Sequence, residues 1–165
     1  MGWEKIRLEF EGVYMNATVH FNNQLVSRHP YGYTSFFCDL TPYLIVNQDN
    51  QIRVTVNNSA LPNSRWYSGS GIYRHVWLHI SDLIHIQPWE VYATTSINND
   101  KSEVTVQTTI NNDDSKPLWI IVRTSICKID GEQVAINESA ILVQSQNSSV
   151  EIQPMLVSPV RLWSP

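Results

Sequence analysis

Ala17-Thr18-Val19-His20-Phe21-Asn22-Asn23-Gln24-Leu25-Val26 reads as two short strands joined by a two-residue turn. Ala17, Val19 and Phe21 alternate with polar Thr18 and His20, the period-two pattern of a strand with one buried face. Asparagine tolerates positive φ, so an Asn-Asn pair between two such runs predicts a tight hairpin. Upstream, Ile6, Leu8 and Phe10 alternate with charged Lys5, Arg7, Glu9 and Glu11. Downstream, residues 51–57 and 74–80 alternate again, the latter with Val76, Leu78 and Ile80 on one face. No stretch carries a helical period, so the chain is expected to be all-β.

Pro88 interrupts this pattern, and a fresh series of strands begins at Val91, which sets a boundary near residues 86–89. Short strands are expected at residues 103–107, 118–127, 133–136, 140–143 and 150–152, a spacing typical of a sandwich. Asp130-Gly131 supplies a hairpin turn, and Asn111-Asn112-Asp113-Asp114 a second turn cluster. The fold class is therefore two β-sandwiches in tandem, over residues 1–88 and 89–165.

Hydrophobic residues make up 42% of the chain and charged residues only 16%, which excludes a disordered segment or a coiled coil. No apolar run approaches the ~20 residues of a membrane-spanning helix, so no membrane partner is expected. The net charge is −4, with six basic against six acidic residues before Pro88 and five against nine after it. That balance offers no basic face for nucleic acid. Cys38 and Cys127, far apart and without a CxxC pair, read as two free, buried thiols. The first residues lack the apolar stretch of a signal peptide, so the chain is expected to start inside a longer protein.

Chemistry concentrates in Arg65-Trp66-Tyr67-Ser68-Gly69-Ser70-Gly71-Ile72-Tyr73-Arg74. Aromatic faces and guanidiniums beside glycines are materials of a polar-ligand site, and equally of a glycine-rich connection whose aromatics close the end of a core. On the residues alone both readings stay open. The turn His29-Pro30-Tyr31-Gly32-Tyr33 has the same double meaning. Glu9 and Glu11 alternate outward from an apolar strand face and read as solvated charges. His75 and His79 would share a face with Trp77, but nothing at short spacing completes a metal shell, so neither a metal nor a cofactor is expected. Phosphate-loop, nucleophile-elbow and HExxH patterns do not occur.

The order of motifs is informative beyond any one of them. Phe10-Glu11-Gly12-Val13-Tyr14, Ala17-Thr18-Val19, residues 29–36, Asp39-Leu40-Thr41, residues 50–54 and the arginine-aromatic-glycine segment, in that order, resemble the amino-terminal sugar-binding domain of glycoside hydrolase family 2. The resemblance implies a jelly-roll, galactose-binding-like fold for residues 1–88, followed by an immunoglobulin-like sandwich that includes Leu162-Trp163-Ser164-Pro165. Its Gly71-Ile72-Tyr73-Arg74 ending is similar to β-galactosidases rather than to glucuronidases, which tend to carry histidine in place of Tyr73.

In that family the catalytic glutamates come from a TIM barrel that follows these two modules. The resemblance thus implies a glycosidase parent acting on a carbohydrate substrate, a TIM-barrel partner in the same parent chain, and no catalytic residue in this stretch, which alone is expected to be inactive. It also implies that the first module lacks its earliest strands and the second its last, leaving sheet edges that favour a homo-oligomer. Family members carry, six residues before the glycine of that ending, an aspartate that reaches the substrate. Arg65 stands there in this chain, so Arg65, Trp66 and Tyr67 are the expected substrate-binding residues, with an arginine donating where the family has an acceptor. Two alternatives remain: a free-standing carbohydrate-binding module using Trp66, Tyr67 and Tyr73 as a stacking platform, and an immunoglobulin-like interaction domain.

Overall fold

The computed structural model describes residues 5–59, 67–98 and 101–160. Two compact units divide the chain, Met1–Asp82 and Leu83–Pro165.

The first unit contains β1 (Lys5–Phe10), β2 (Val13–Tyr14), β3 (Ala17–Phe21), β4 (Gln24–His29), β5 (Phe36–Asp39), β6 (Ile52–Thr55), β7 (Gly71–Ile72) and β8 (Val76–Ser81), with a 3-10 turn at Thr41–Tyr43. They form sheets ordered β5-β1-β8, β4-β3-β6 and β2-β7. The hairpin is as the sequence predicts: β3 and β4 pair antiparallel, and Asn22 and Asn23 take φ of 48° and 64° at its turn. Leu8, Phe10, Phe36 and Cys38 meet Val13, Ala17, Val19 and Phe21 in one buried cluster. Phe10 and Phe36 stack at 4.9 Å between ring centroids.

Alternation along β1 holds, with Leu8 and Phe10 buried. Cross-strand pairing puts Leu8 opposite Leu78 and Phe10 opposite Val76. The apolar row of β8 nevertheless stays largely exposed, Leu78 at 56%. One expectation fails on this strand: Glu9 is not a solvated charge but a buried one, bonded to His79.

The second unit contains β9 (Ile84–Asn98), β10 (Lys101–Asn112), β11 (Leu118–Cys127), β12 (Gln133–Val143) and β13 (Asn147–Val157), in sheets ordered β13-β10-β9 and β11-β12. Ile110, Val122 and Val143 form its buried cluster, flanked by Ile84, Ile120 and Ile141. Gln153, 2% exposed on β13, donates to the carbonyl oxygens of Val122 on β11 and Asn137 on β12 and to the Ser139 hydroxyl, and accepts from the Thr124 hydroxyl. One amide thereby bonds both strands of the opposite sheet.

Three sequence expectations are corrected here. Pro88 does not end the pattern, and the two units meet at residues 82 and 83 instead. Strand β9 runs through Pro88 because it is an edge strand, where a missing N–H is tolerated. The β9–β10 register jumps there from Thr108↔Val91 to Ile110↔Ile86, an irregularity at which Trp89 takes φ of 68°. The separate strands at 133–136 and 140–143 are one strand, β12. Its polar middle is held by partners: Glu138 pairs with Arg123, Asn137 donates to the carbonyl of Pro154, and Ser139 accepts from Gln153. Cys127, expected to be buried, is exposed at the end of β11; Cys38 is buried, and both are free.

Candidate functional site

Glycine and tyrosine place the segment at residues 67–74 against the rest of the first unit. Strand β7 pairs with β2, setting Tyr14 opposite Gly71 and Val13 opposite Ile72. Gly71 takes φ of 121°, which a side chain would strain. The Tyr73 N–H then donates to the carbonyl of Gly12 at 3.2 Å, and the Glu11 N–H donates to that of His75 at 3.1 Å. Just ahead, the Asn58 amide donates to the Ser70 hydroxyl at 3.1 Å, tying the near end of the loop to the strand side.

Two of the chain's glycines are seats for aromatic rings. A Cβ on Gly12 would lie 2.5 Å from Cζ of Tyr73, and one on Gly32 would lie 2.3 Å from Cδ2 of Tyr14. No side chain fits at either position without moving a ring. The Tyr73 hydroxyl donates to the Gly32 carbonyl at 2.7 Å, so one residue joins the 67–74 segment to the turn at residues 29–34. In that turn the His29 ring stacks on Phe36 at 4.4 Å, and its Nε2 lies 3.0 Å from the Thr34 hydroxyl. Tyr33 packs against Tyr14 at 5.3 Å and edge-on against Tyr31 at 5.6 Å. The Arg74 guanidinium lies 5.9 Å from the centre of the Tyr73 ring, in range of a cation–π contact.

Of the expected substrate-binding residues, Arg65 and Trp66 lie outside the described residues. Tyr67 is fully exposed. The tyrosine cluster that brings Tyr14, Tyr31, Tyr33 and Tyr73 together from three segments is not visible as a unit in the sequence. The residues were singled out, but nothing in their spacing shows that Tyr73 reaches Gly32.

A second polar group lies on the outward face of β1 and β8. The Trp77 indole donates to Glu11 Oε1 at 2.9 Å, and His75 Nδ1 lies 3.0 Å from Glu11 Oε2. These two bonds, the indole's first, hold the Glu11 carboxyl below its ordinary range. His79 Nε2 lies 2.8 Å from Glu9 Oε2. Lys5 pairs with Asp39 at 2.9 Å. Burial pushes the Asp39 carboxyl up, but the bonds from Lys5 and Thr41 outweigh it and the net direction is down. The sequence placed Glu9 with Glu11, and His75 with His79 and Trp77; the structure pairs the two sets across β1 and β8. Among the described residues no three His, Cys, Asp or Glu side chains gather as a metal site.

A general acid for glycoside cleavage needs a carboxyl held protonated, with a raised pKa; Glu11 and Asp39 are displaced in the opposite direction.

Comparison with known proteins covers the whole chain. The family model described as the sugar binding domain of glycosyl hydrolases family 2 matches residues 1–81. A second, described as glycosyl hydrolases family 2, matches residues 84–165. A beta-galactosidase of Bacteroides ovatus is 40% identical over 158 residues, covering 95% of this chain and 19% of that protein. A putative beta-glucuronidase of Formosa agariphila is 31% identical over 159 residues, covering 96% of this chain and 14% of that protein. The crystal structure of a family 2 member from Bacteroides cellulosilyticus superposes with a TM-score of 0.93 at 35% identity, covering 98% of this chain and 22% of that one. The chain spans about a fifth of the length of these relatives. Its two tandem β-sandwiches match the sugar binding domain and a further domain of that family, and the chain belongs to glycosyl hydrolases family 2.

Proposed function

We propose that these two units are the front modules of a β-galactosidase, a glycosidase that hydrolyses O-glycosidic bonds, and that the loop bearing Arg65, Trp66 and Tyr67 borders its substrate pocket. The similarity to the Bacteroides ovatus beta-galactosidase over nearly the whole chain carries this reading. The catalytic carboxylates then belong to a TIM barrel elsewhere in the parent protein, and residues 1–165 alone are inactive. The lowered pKa of Glu11, held by Trp77 and His75, supports that assignment, since a general acid needs a raised one.

In this arrangement Arg65 orients the nonreducing-end sugar. Its guanidinium offers five N–H donors in a fixed fork, suited to hydroxyl oxygens or to a carboxylate on the barrel. Trp66 and Tyr67 supply flat apolar faces for the C–H side of the pyranose.

The test is hydrolysis of p-nitrophenyl β-galactoside and p-nitrophenyl β-glucuronide by the full parent protein and by residues 1–165 alone. Release of nitrophenol from the galactoside by the parent only is the expected result; preference for the glucuronide overturns the substrate, and turnover by the 165-residue piece overturns the assignment of catalysis to the barrel. Arg65→Ala in the parent should lower kcat/KM for the galactoside about tenfold or more, the effect of removing a charged donor from a hydroxyl. Unchanged kinetics would remove Arg65 from the pocket.

A further inference from the structure

We propose that Tyr31 and Tyr33 form a stacking platform for a further sugar unit of an extended glycan, separate from the Arg65 loop. The inference rests on the proposed glycosidase function and adds a preference for longer substrates.

The core does not account for these two rings. His29 covers Phe36, and Tyr14, 8% exposed, fills the space over Gly32. Tyr31 and Tyr33 stand beyond them, 58% and 48% exposed. The three tyrosines form a graded series: Tyr14 is buried, Tyr33 leans on Tyr14, and Tyr31 meets Tyr33 edge-on. Each ring props the next, and the outermost offers the most surface.

The turn beneath them is held at several points. The Asn16 N–H donates to the Pro30 carbonyl at 3.1 Å, the Tyr73 hydroxyl donates to the Gly32 carbonyl, and His29 pairs with the Thr34 hydroxyl. Exposed aromatics on a fixed backbone lose little conformational freedom when a ligand arrives. An apolar ring face edged by a phenolic hydroxyl suits a pyranose, which has one C–H face and an equatorial belt of hydroxyls. The two tyrosine hydroxyls supply donors and acceptors at the ring edges. The Tyr73 hydroxyl bonds this turn to the segment at residues 67–74, which fixes the rings relative to a second part of the same unit.

The test compares two substrates in the full parent protein: p-nitrophenyl β-galactoside, with one sugar, and a β-linked galacto-oligosaccharide of four units. In Tyr31→Ala and Tyr33→Ala the ratio of kcat/KM for the oligosaccharide to that for the aryl galactoside should fall about tenfold, mainly through KM. Tyr31→Phe and Tyr31→Trp, which keep a ring, should restore the ratio. A parallel loss on both substrates, or a melting temperature that falls with the ratio unchanged, makes the rings structural and overturns the platform. No change in either substrate overturns it as well. A wild-type parent that cleaves neither galactoside overturns the proposed function itself, and the platform with it.

Discussion

The Tyr73 hydroxyl reaches the Gly32 carbonyl at 2.7 Å while its ring occupies the space a side chain on Gly12 would need. Tyr73 thereby links two glycines distant in the chain: its own ring excludes a side chain at Gly12, and the Tyr14 ring excludes one at Gly32. Tyr73→Phe removes only the hydrogen bond and should cost about 1 kcal/mol in denaturant unfolding. Gly12→Ala drives a methyl into the ring and should cost about 1–3 kcal/mol. Combining Gly12→Ala with Tyr73→Ala, which empties the space, should cost less than the sum of the two single changes.

Glu11 ties its stability contribution to acid pH. Its carboxyl is held below the ordinary value of 4.5 by the Trp77 indole and His75. A depressed folded-state pKa means the contribution is fully present above the unfolded value and is lost as pH falls through the folded one. An NMR titration of the Glu11 side chain should give a midpoint below 4.5, and Trp77→Phe should move it toward 4.5. A midpoint unaffected by Trp77→Phe would refute the indole's role.

The two thiols should behave oppositely. Burial pushes the Cys38 thiol up to about 11, against a smaller lowering from Ser27, whereas Cys127 is exposed. Only the thiolate is nucleophilic. Iodoacetamide at pH 8 should label Cys127 in the native protein and leave Cys38 unmodified until denaturant is added, as read by peptide mass spectrometry.

Gln153 connects β13 to both β11 and β12 through a buried amide. Gln153→Ala leaves the Thr124 and Ser139 hydroxyls and two carbonyls without that partner, and should cost about 2–4 kcal/mol. Gln153→Leu, similar in size but without hydrogen bonds, should rescue little of it. Chemical denaturation followed by tryptophan fluorescence checks both.

Alternation made β1, β3 and β8 legible, because a strand with one buried face must place apolar residues at every second position. The Asn22-Asn23 hairpin was legible for a related reason, since few residues accept the φ values it needs. What stayed hidden depends on partners far away in sequence. The middle of β12 looked like a loop because Asn137, Glu138 and Ser139 are polar, yet each has its partner on β11 or β13. Pro88 looked like a boundary because proline cannot serve an inner strand, and only the sheet order shows that β9 lies at an edge. For the candidate site, Tyr67 and Tyr73 could be singled out by residue type. Gly32 as the acceptor of the Tyr73 hydroxyl could not, because the two come together only through folding.

The polar side of β1 and β8 carries information that the apolar side lacks. Sliding one strand two residues along the other keeps every side chain on its own side of the sheet, so hydrophobic burial barely distinguishes the two alignments. The hydrogen-bonded polar pairs distinguish them. Moved one way, His79 leaves Glu9; moved the other, His75 leaves Glu11. With Glu9 buried, either slide strands a carboxylate without its partner or empties the bond that fixes Glu11. Glu9 and Glu11 thus act as teeth that favour one alignment of the strands, and the outer face selects what the core alone would leave degenerate.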